Sequence, residues 1–182
     1  MNIGLTQRIL HHKGIAYDCV EHGWYSYLSH HTLSFIQNRL DQDFEHLTNQ
    51  IDCLIITGGD DSTLRRTVEL KLAKEMMKAH KPVLGVCHGC FLLADVLGAT
   101  VIDVYDHSDT DHEVNYFGDR IIVNSFHSLA ISEPHRSATV LAKDDAGYCE
   151  SWIDGTLAGV VWHPERMATP WLPSEITQLL KL

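Results

Sequence analysis

Lys81-Pro82-Val83-Leu84-Gly85-Val86-Cys87-His88-Gly89-Cys90-Phe91-Leu92-Leu93-Ala94-Asp95 is the stretch on which the reading of this chain turns. Val83 to Val86 is a short apolar run of the kind a fully buried strand needs. Cys87 follows at once, and beyond it Phe91, Leu92, Asp95 and Val96 fall at helical spacing. Gly85 and Gly89 flank the cysteine at two residues on either side. A strand that turns this sharply into a helix leaves little room for side chains beside the turn, which is the layout of a nucleophile elbow. A nucleophile placed there sits at the positive end of a helix, where an anion is favoured. The competing reading makes Cys87 a small core residue at the end of a strand, as free cysteines commonly are. A base, an acid to orient it and donors for an oxyanion must come from the rest of the chain.

Working outward, Pro82 punctuates the approach to the strand, and residues 63–80 before it carry leucines, methionines and alanines at helical spacing. Upstream again, Asp52-Cys53-Leu54-Ile55-Ile56 is a buried strand ending in the turn signal Thr57-Gly58-Gly59-Asp60-Asp61. Residues 2–7 predict a first short strand. Tyr17, Val20, Trp24, Tyr27 and Leu28 recur at three- and four-residue steps and predict an amphipathic helix over 17–30. Leu33 to Ile36 is a weaker strand candidate, and residues 37–50 carry no clear period. The first half therefore predicts β-α-β-α-β-α, a mostly parallel sheet flanked by helices. In such sheets ligands sit beyond the carboxyl ends of the strands, where both Gly58-Gly59 and Cys87 fall. The second half predicts further short strands at Val101 to Val104, Ile121 to Asn124, Thr139 to Lys143, Cys149 to Ile153 and Ala158 to Trp162, and a helix from Pro173 to Leu182.

A chain of 182 residues suits one domain, residues 1–182, with a sizeable core. Its net charge of −10 argues against nucleic acid or an anionic membrane surface as partner. No apolar run approaches bilayer length, and Met1 to Arg8 reads as a strand-like start and not as a signal peptide. Cys19, Cys53, Cys87, Cys90 and Cys149 are odd in number and scattered, which fits a reducing cytoplasm better than a disulfide framework. Cys87-x-x-Cys90 as a redox pair lacks a thioredoxin-like context.

Thirteen histidines invite over-reading. His11-His12 and His30-His31 read as surface pairs. His107 and His112 flank the acidic loop Ser108-Asp109-Thr110-Asp111, but their spacing matches no standard metal-ligand set. His163 stands apart. Gly159-Val160-Val161-Trp162-His163-Pro164-Glu165-Arg166 is a strand that ends in His-Pro-Glu. Residues two apart in extended chain share a side, so Glu165 can accept a hydrogen bond from the His163 ring. Such a contact fixes the tautomer and steadies the imidazolium formed during proton transfer.

Gly85-x-Cys87-x-Gly89, Thr57-Gly58-Gly59-Asp60 and Trp162-His163-Pro164-Glu165, in that order and spacing, resemble the class I glutamine amidotransferase domain. Within it, Arg66-x-x-Glu69, Val123-Asn124-Ser125-Phe126-His127 and Trp162-His163-Pro164-Glu165-Arg166 look like the γ-glutamyl hydrolase branch (peptidase C26). Ile3-Gly4-Leu5-Thr6-Gln7-Arg8 and Asn124-Ser125-Phe126-His127-Ser128-Leu129-Ala130-Ile131 also resemble small bacterial γ-glutamyl-CDP-amidate hydrolases, which act in capsular polysaccharide modification. The resemblance covers nearly the whole chain. It implies a flavodoxin-like α/β fold with extra antiparallel strands in its second half. It implies a Cys87-His163-Glu165 triad, an oxyanion held by the N–H groups of Gly59 and His88, and substrate contacts from Gly58, Phe91, Ser125, Phe126 and His127. It implies no cofactor and no metal.

Two positions depart from the family pattern. The family usually carries Gln four residues after the nucleophile, where Phe91 stands, and Gln at the end of Asn-Ser-x-His-x-Gln, where Leu129 stands. Losing such partners argues against efficient use of free glutamine. The reading that follows is a hydrolase of a small-molecule γ-glutamyl amide with a bulky or nucleotide-linked leaving group. The alternatives are a glutaminase subunit that supplies ammonia to a separate synthase, and a catalytically silent binding module. The side chain of His88 is open to either a substrate contact or a place on the pocket rim.

Overall fold

The structure, a computed structural model, describes residues 1–105 and 108–182. In chain order its elements are β1 (Asn2–Thr6), β2 (Arg8–His12), β3 (Ile15–Cys19), α1 (His22–Tyr27), β4 (Thr32–Ile36), α2 (Phe44–Gln50), β5 (Cys53–Ile56), α3 (Thr63–Lys78), β6 (Val83–Val86), α4 (His88–Val96), β7 (Thr100–Asp103), β8 (Ser108–Tyr116), β9 (Asp119–Phe126), β10 (Leu129–Glu133), β11 (Thr139–Lys143), β12 (Cys149–Asp154), β13 (Leu157–Val160) and α5 (Ser174–Leu180). Among the described residues, eleven strands join one sheet whose main path runs β4-β1-β5-β6-β13-β12-β11-β8-β9. Its first five strands pair in parallel, and those from β12 onward run antiparallel. This is the expected α/β sheet with an antiparallel extension.

Why the parallel half forms is plain from its strands. Every residue of β5, β6 and β13 is buried, because helices cover both faces, and each therefore needs a continuous apolar run instead of alternation. One core layer holds Ile3, Leu5, Ile55, Val86 and Trp162, and the opposite layer holds Leu54, Ile56, Val68, Met76 and Leu92. Topology then does one thing that sequence order does not suggest. Strand β13, last of the strands, inserts beside β6 in parallel, with Val160 level with Val86. The chain leaving β13 thus emerges next to the chain leaving β6.

The helix predicted over 17–30 is corrected. Tyr17 belongs to β3, which pairs with β2 in a two-stranded hairpin, and only Trp24, Tyr27 and Leu28 lie on or against α1. The hairpin turns on Lys13 (φ 50°) and Gly14 (φ 77°) between the paired His12 and Ile15. Positive φ at both central residues matches the right-handed twist of the strands. Helix α2 fills the stretch that carried no period. Strands β8 and β10 lie where no strand was expected.

Candidate active site

Three neighbouring parallel strands, β5, β6 and β13, end at one edge and deliver Gly58-Gly59, Cys87 and His163 to it. The expected elbow is there. Cys87 has φ 49° and ψ −105°, a backbone state that costs on the order of 1–3 kcal/mol and persists only where the surroundings enforce it. They do so by packing: a Cβ on Gly85 would lie 2.3 Å from the Gly89 carbonyl oxygen, and one on Gly89 would lie 2.3 Å from that of Ile56. Cys87 N–H donates to the Val160 carbonyl at 2.9 Å, so the elbow is also pinned to β13.

The imidazole of His163 is coupled to Cys87 and, through Nδ1, hydrogen-bonds to Glu165 Oε1 at 2.8 Å. Burial pulls its pKa down, but the contacts with Cys87 and Glu165 outweigh it and raise the pKa from 6.5 to about 9. The backbone of His163 is held as firmly as the ring. Its N–H donates to Asn124 Oδ1, and its carbonyl accepts from Asn124 Nδ2, both at 2.8 Å. Asn124 was missed as a site residue, although it stood inside the stretch that carried the resemblance. Gly58 passes under the ring so closely that a Cβ there would meet His163 Cε1 at 2.3 Å.

A cleft of about 430 Å³ opens beside the cysteine, with Gly59, Cys87, His88, Phe91, Phe126 and His127 in its lining. Phe126 packs edge-on against the His163 ring, with centroids 5.7 Å apart, and the guanidinium of Arg166 sits 4.5 Å over its face. Ser125 is fully buried in β9 and does not line the cleft. Phe91 lies against the ring of His127, whose Nδ1 meets the Leu129 carbonyl at 2.7 Å. The two departures from the family pattern therefore share one wall.

His88 is in the cleft lining, and its side chain is tied down by a buried partner: Nε2 lies 2.8 Å from Glu69 Oε2. Glu69 is fully buried, and so is its ion-pair partner, which is Arg65 at 2.8 Å. Arg66, the residue singled out in Arg66-x-x-Glu69, instead bridges Asp61 and Asp95 at the surface. Cys90 is turned into the core near Gly159 and Trp152, and burial holds its thiol well above the ordinary range. The other histidine expectations sort simply. His11, His12 and His30 are exposed, and His31 is half-buried. His107 lies outside the described residues. His112 approaches the buried Glu150 at 3.3 Å. No helix of the described residues is long and apolar enough to cross a membrane.

Known proteins frame this geometry. A γ-glutamyl-CDP-amidate hydrolase of Campylobacter jejuni is 27% identical over 135 residues, covering 68% of this chain and 67% of that protein. The pyridoxal 5'-phosphate synthase subunit PdxT of Nitrosopumilus maritimus is 29% identical over 141 residues, covering 63% and 68%. A glutamine amidotransferase crystal structure from Thermotoga maritima superposes with a TM-score of 0.69 at 18% identity, covering 90% of this chain and 76% of the other. The family model of the class-I glutamine amidotransferases matches residues 16–181. The chain belongs to the class-I glutamine amidotransferase family.

Proposed function

We propose that residues 1–182 act as one domain that hydrolyses a γ-glutamyl amide through a thioester on Cys87. The observation that carries this reading is the unbroken line Cys87–His163–Glu165, built on a strained elbow and beside an open cleft. With the proton of the pair on His163, sulfur bonds to the amide carbon and the carbonyl π pair moves onto oxygen. The N–H groups of Gly59 and His88 hold that oxyanion; such donors contribute about 3–4 kcal/mol each in acyl transfer. The oxygen pair then re-forms the carbonyl, the C–N bond breaks, and His163 returns the proton to the leaving amine. Water adds to the thioester, its proton travels through His163 to sulfur, and the C–S bond breaks to release glutamate. Glu165 keeps the His163 ring oriented throughout. Phe126 and His127, which line the cleft, contact the glutamyl moiety, whereas the buried Gly58 and Ser125 support the wall behind them. Five free cysteines suit a reducing compartment such as the cytoplasm.

Phe91 and Leu129 support an amide other than glutamine itself, because an apolar wall offers no hydrogen bond to a small polar substrate. The γ-glutamyl-CDP-amidate hydrolase among the relatives supports a nucleotide-linked amine as leaving group. A second reading, ammonia supply to a separate synthase, draws support from the relative named as a synthase subunit. Purified protein is given L-glutamine and a chromogenic γ-glutamyl anilide, with Cys87→Ser as control. We expect turnover of the anilide, little of glutamine, and none by the variant. Glutamine turnover appearing only with an added synthase supports the second reading. Failure of a glutamine-analogue electrophile to alkylate Cys87 at neutral pH sinks both.

A further inference from the structure

Arg65 and Glu69, one turn apart on α3, form an ion pair with no exposure at all. Burying two charges is costly, and an apolar pair of similar volume is often as stable, so stability alone is a weak account of them. Their hydrogen bonds suggest another. Arg65 directs its guanidinium at the loop after β5: Nη2 donates to the Thr57 carbonyl at 2.5 Å and the Gly58 carbonyl at 3.3 Å, and Nη1 to the Asp60 carbonyl at 3.1 Å. Glu69 Oε1 accepts from Arg65 Nε and Thr6 Oγ1, both at 2.8 Å, while Oε2 meets the His88 ring at 2.8 Å.

The Gly58 carbonyl and the Gly59 N–H belong to one trans peptide and point in opposite directions. Holding that carbonyl toward Arg65 turns the Gly59 N–H away from Arg65. A Gly-Gly peptide flips readily, and Gly59 already has φ +118°. In the flipped state the N–H would face the guanidinium, donor against donor, and the carbonyl would face the oxyanion. Arg65 disfavours that state. At the other donor, Glu69 ties down His88, the residue that follows the nucleophile.

We propose that the buried Arg65–Glu69 pair is the positioning device for both oxyanion donors, Arg65 through the Gly58-Gly59 peptide and Glu69 through the His88 ring. This rests on the γ-glutamyl hydrolase reading above. Neither side chain touches substrate; each acts through a backbone N–H.

Arg65→Lys keeps the charge and loses the planar fork. Anilide turnover, melting temperature and the rate of Cys87 alkylation by iodoacetamide are measured together. Alkylation displaces iodide at a saturated carbon and forms no oxyanion, so it reports the Cys87–His163 pair alone. The expected result is a fall in kcat of about 100-fold or more, the size of losing one donor, with KM and alkylation little changed. His88→Gln, whose amide can still donate to Glu69, should retain more activity than His88→Ala. If Arg65→Lys does not fold, Glu69→Gln makes the same test through His88. Unchanged kcat in a folded variant overturns the proposal, as does a loss that alkylation follows in parallel. A wild type that alkylates but hydrolyses no γ-glutamyl anilide overturns the parent reading and this one with it.

Discussion

Two carboxylates near the cleft are each shared by two side chains, and they differ in contact with water. Glu69 is fully buried, with Arg65 and His88 as partners. Glu21 lies at the rim between Arg8 and Arg166, and all three side chains are about a quarter exposed. Attraction between charges is strong where water is excluded and weak where it is not, yet the buried pair must first repay the loss of hydration. The buried cluster therefore gains fixed geometry more than stability. The rim cluster gains a modest attraction that salt can screen and water can replace.

The sharpest way to break the comparison is to remove one buried partner. Glu69→Ala leaves the Arg65 charge without its carboxylate and should cost about 3–5 kcal/mol, read as a fall in denaturant midpoint. The double variant Arg65→Met/Glu69→Leu should recover most of that stability, because apolar side chains of similar volume replace the pair. It should not recover turnover, because nothing then holds the Gly58 carbonyl. A double variant as unstable as the single one would mean that the pair is itself a stability device.

How much of this was legible beforehand follows the same line between local pattern and tertiary environment. Cys53–Ile56 and Val83–Val86 announced themselves because parallel strands buried on both faces must be apolar throughout. Cys87, His163 and Glu165 could be paired because an elbow and a His-x-Glu are short-range signals, although the strand ends at Val160 and a 3-10 turn over Pro164–Arg166, not extended chain, brings Glu165 to the ring. The β2–β3 hairpin hid behind aromatic residues that happened to fall at helical spacing, although Lys13-Gly14 carried its turn. Strand β8, Ser-Asp-Thr-Asp-His-Glu-Val-Asn-Tyr, has almost no apolar alternation, since only Val114 is buried on it. Arg65 was passed over for a different reason. A charged residue on a helix reads as exposed, and its burial depends on Thr6 at the end of β1, Thr57 in the loop after β5 and Glu69 one turn along α3 meeting around it.

A third carboxylate sharpens the contrast, because the Glu165 side chain is nearly as buried as that of Glu69 and its partner His163 has a raised pKa. The His163 pKa is raised to about 9 from 6.5. The stabilisation from holding that proton is complete below about 6.5 and is lost as pH climbs through about 9. Glu165→Gln removes one of the two contacts that raise it, so the pKa must fall. The alkaline limb of kcat/KM should move to lower pH, and stability should begin to decline at lower pH than in the wild type. A limb that stays in place would show that Glu165 does not govern the ring.

The smallest effect belongs to the rim. Burial pushes the Glu21 carboxyl pKa up, but Arg166 and Arg8 outweigh it, and the pKa is lowered. Its contribution is present at neutral pH and fades as pH falls through that lowered value, so wild type and Glu21→Gln should converge in acid. At neutral pH the variant should lose up to about 1 kcal/mol, and less in high salt. The functional signature should also differ in kind from that of Arg65. Freed from Glu21, Arg166 loses its fixed seat over Phe126, whose ring borders His163. The Arg65 contacts that hold the Gly58-Gly59 peptide are left in place. Glu21→Gln should therefore raise KM a few-fold and leave kcat near the wild type, whereas Arg65→Lys should do the reverse. If both variants lose kcat alike, rim and interior are one network, and the distinction drawn from their exposure fails.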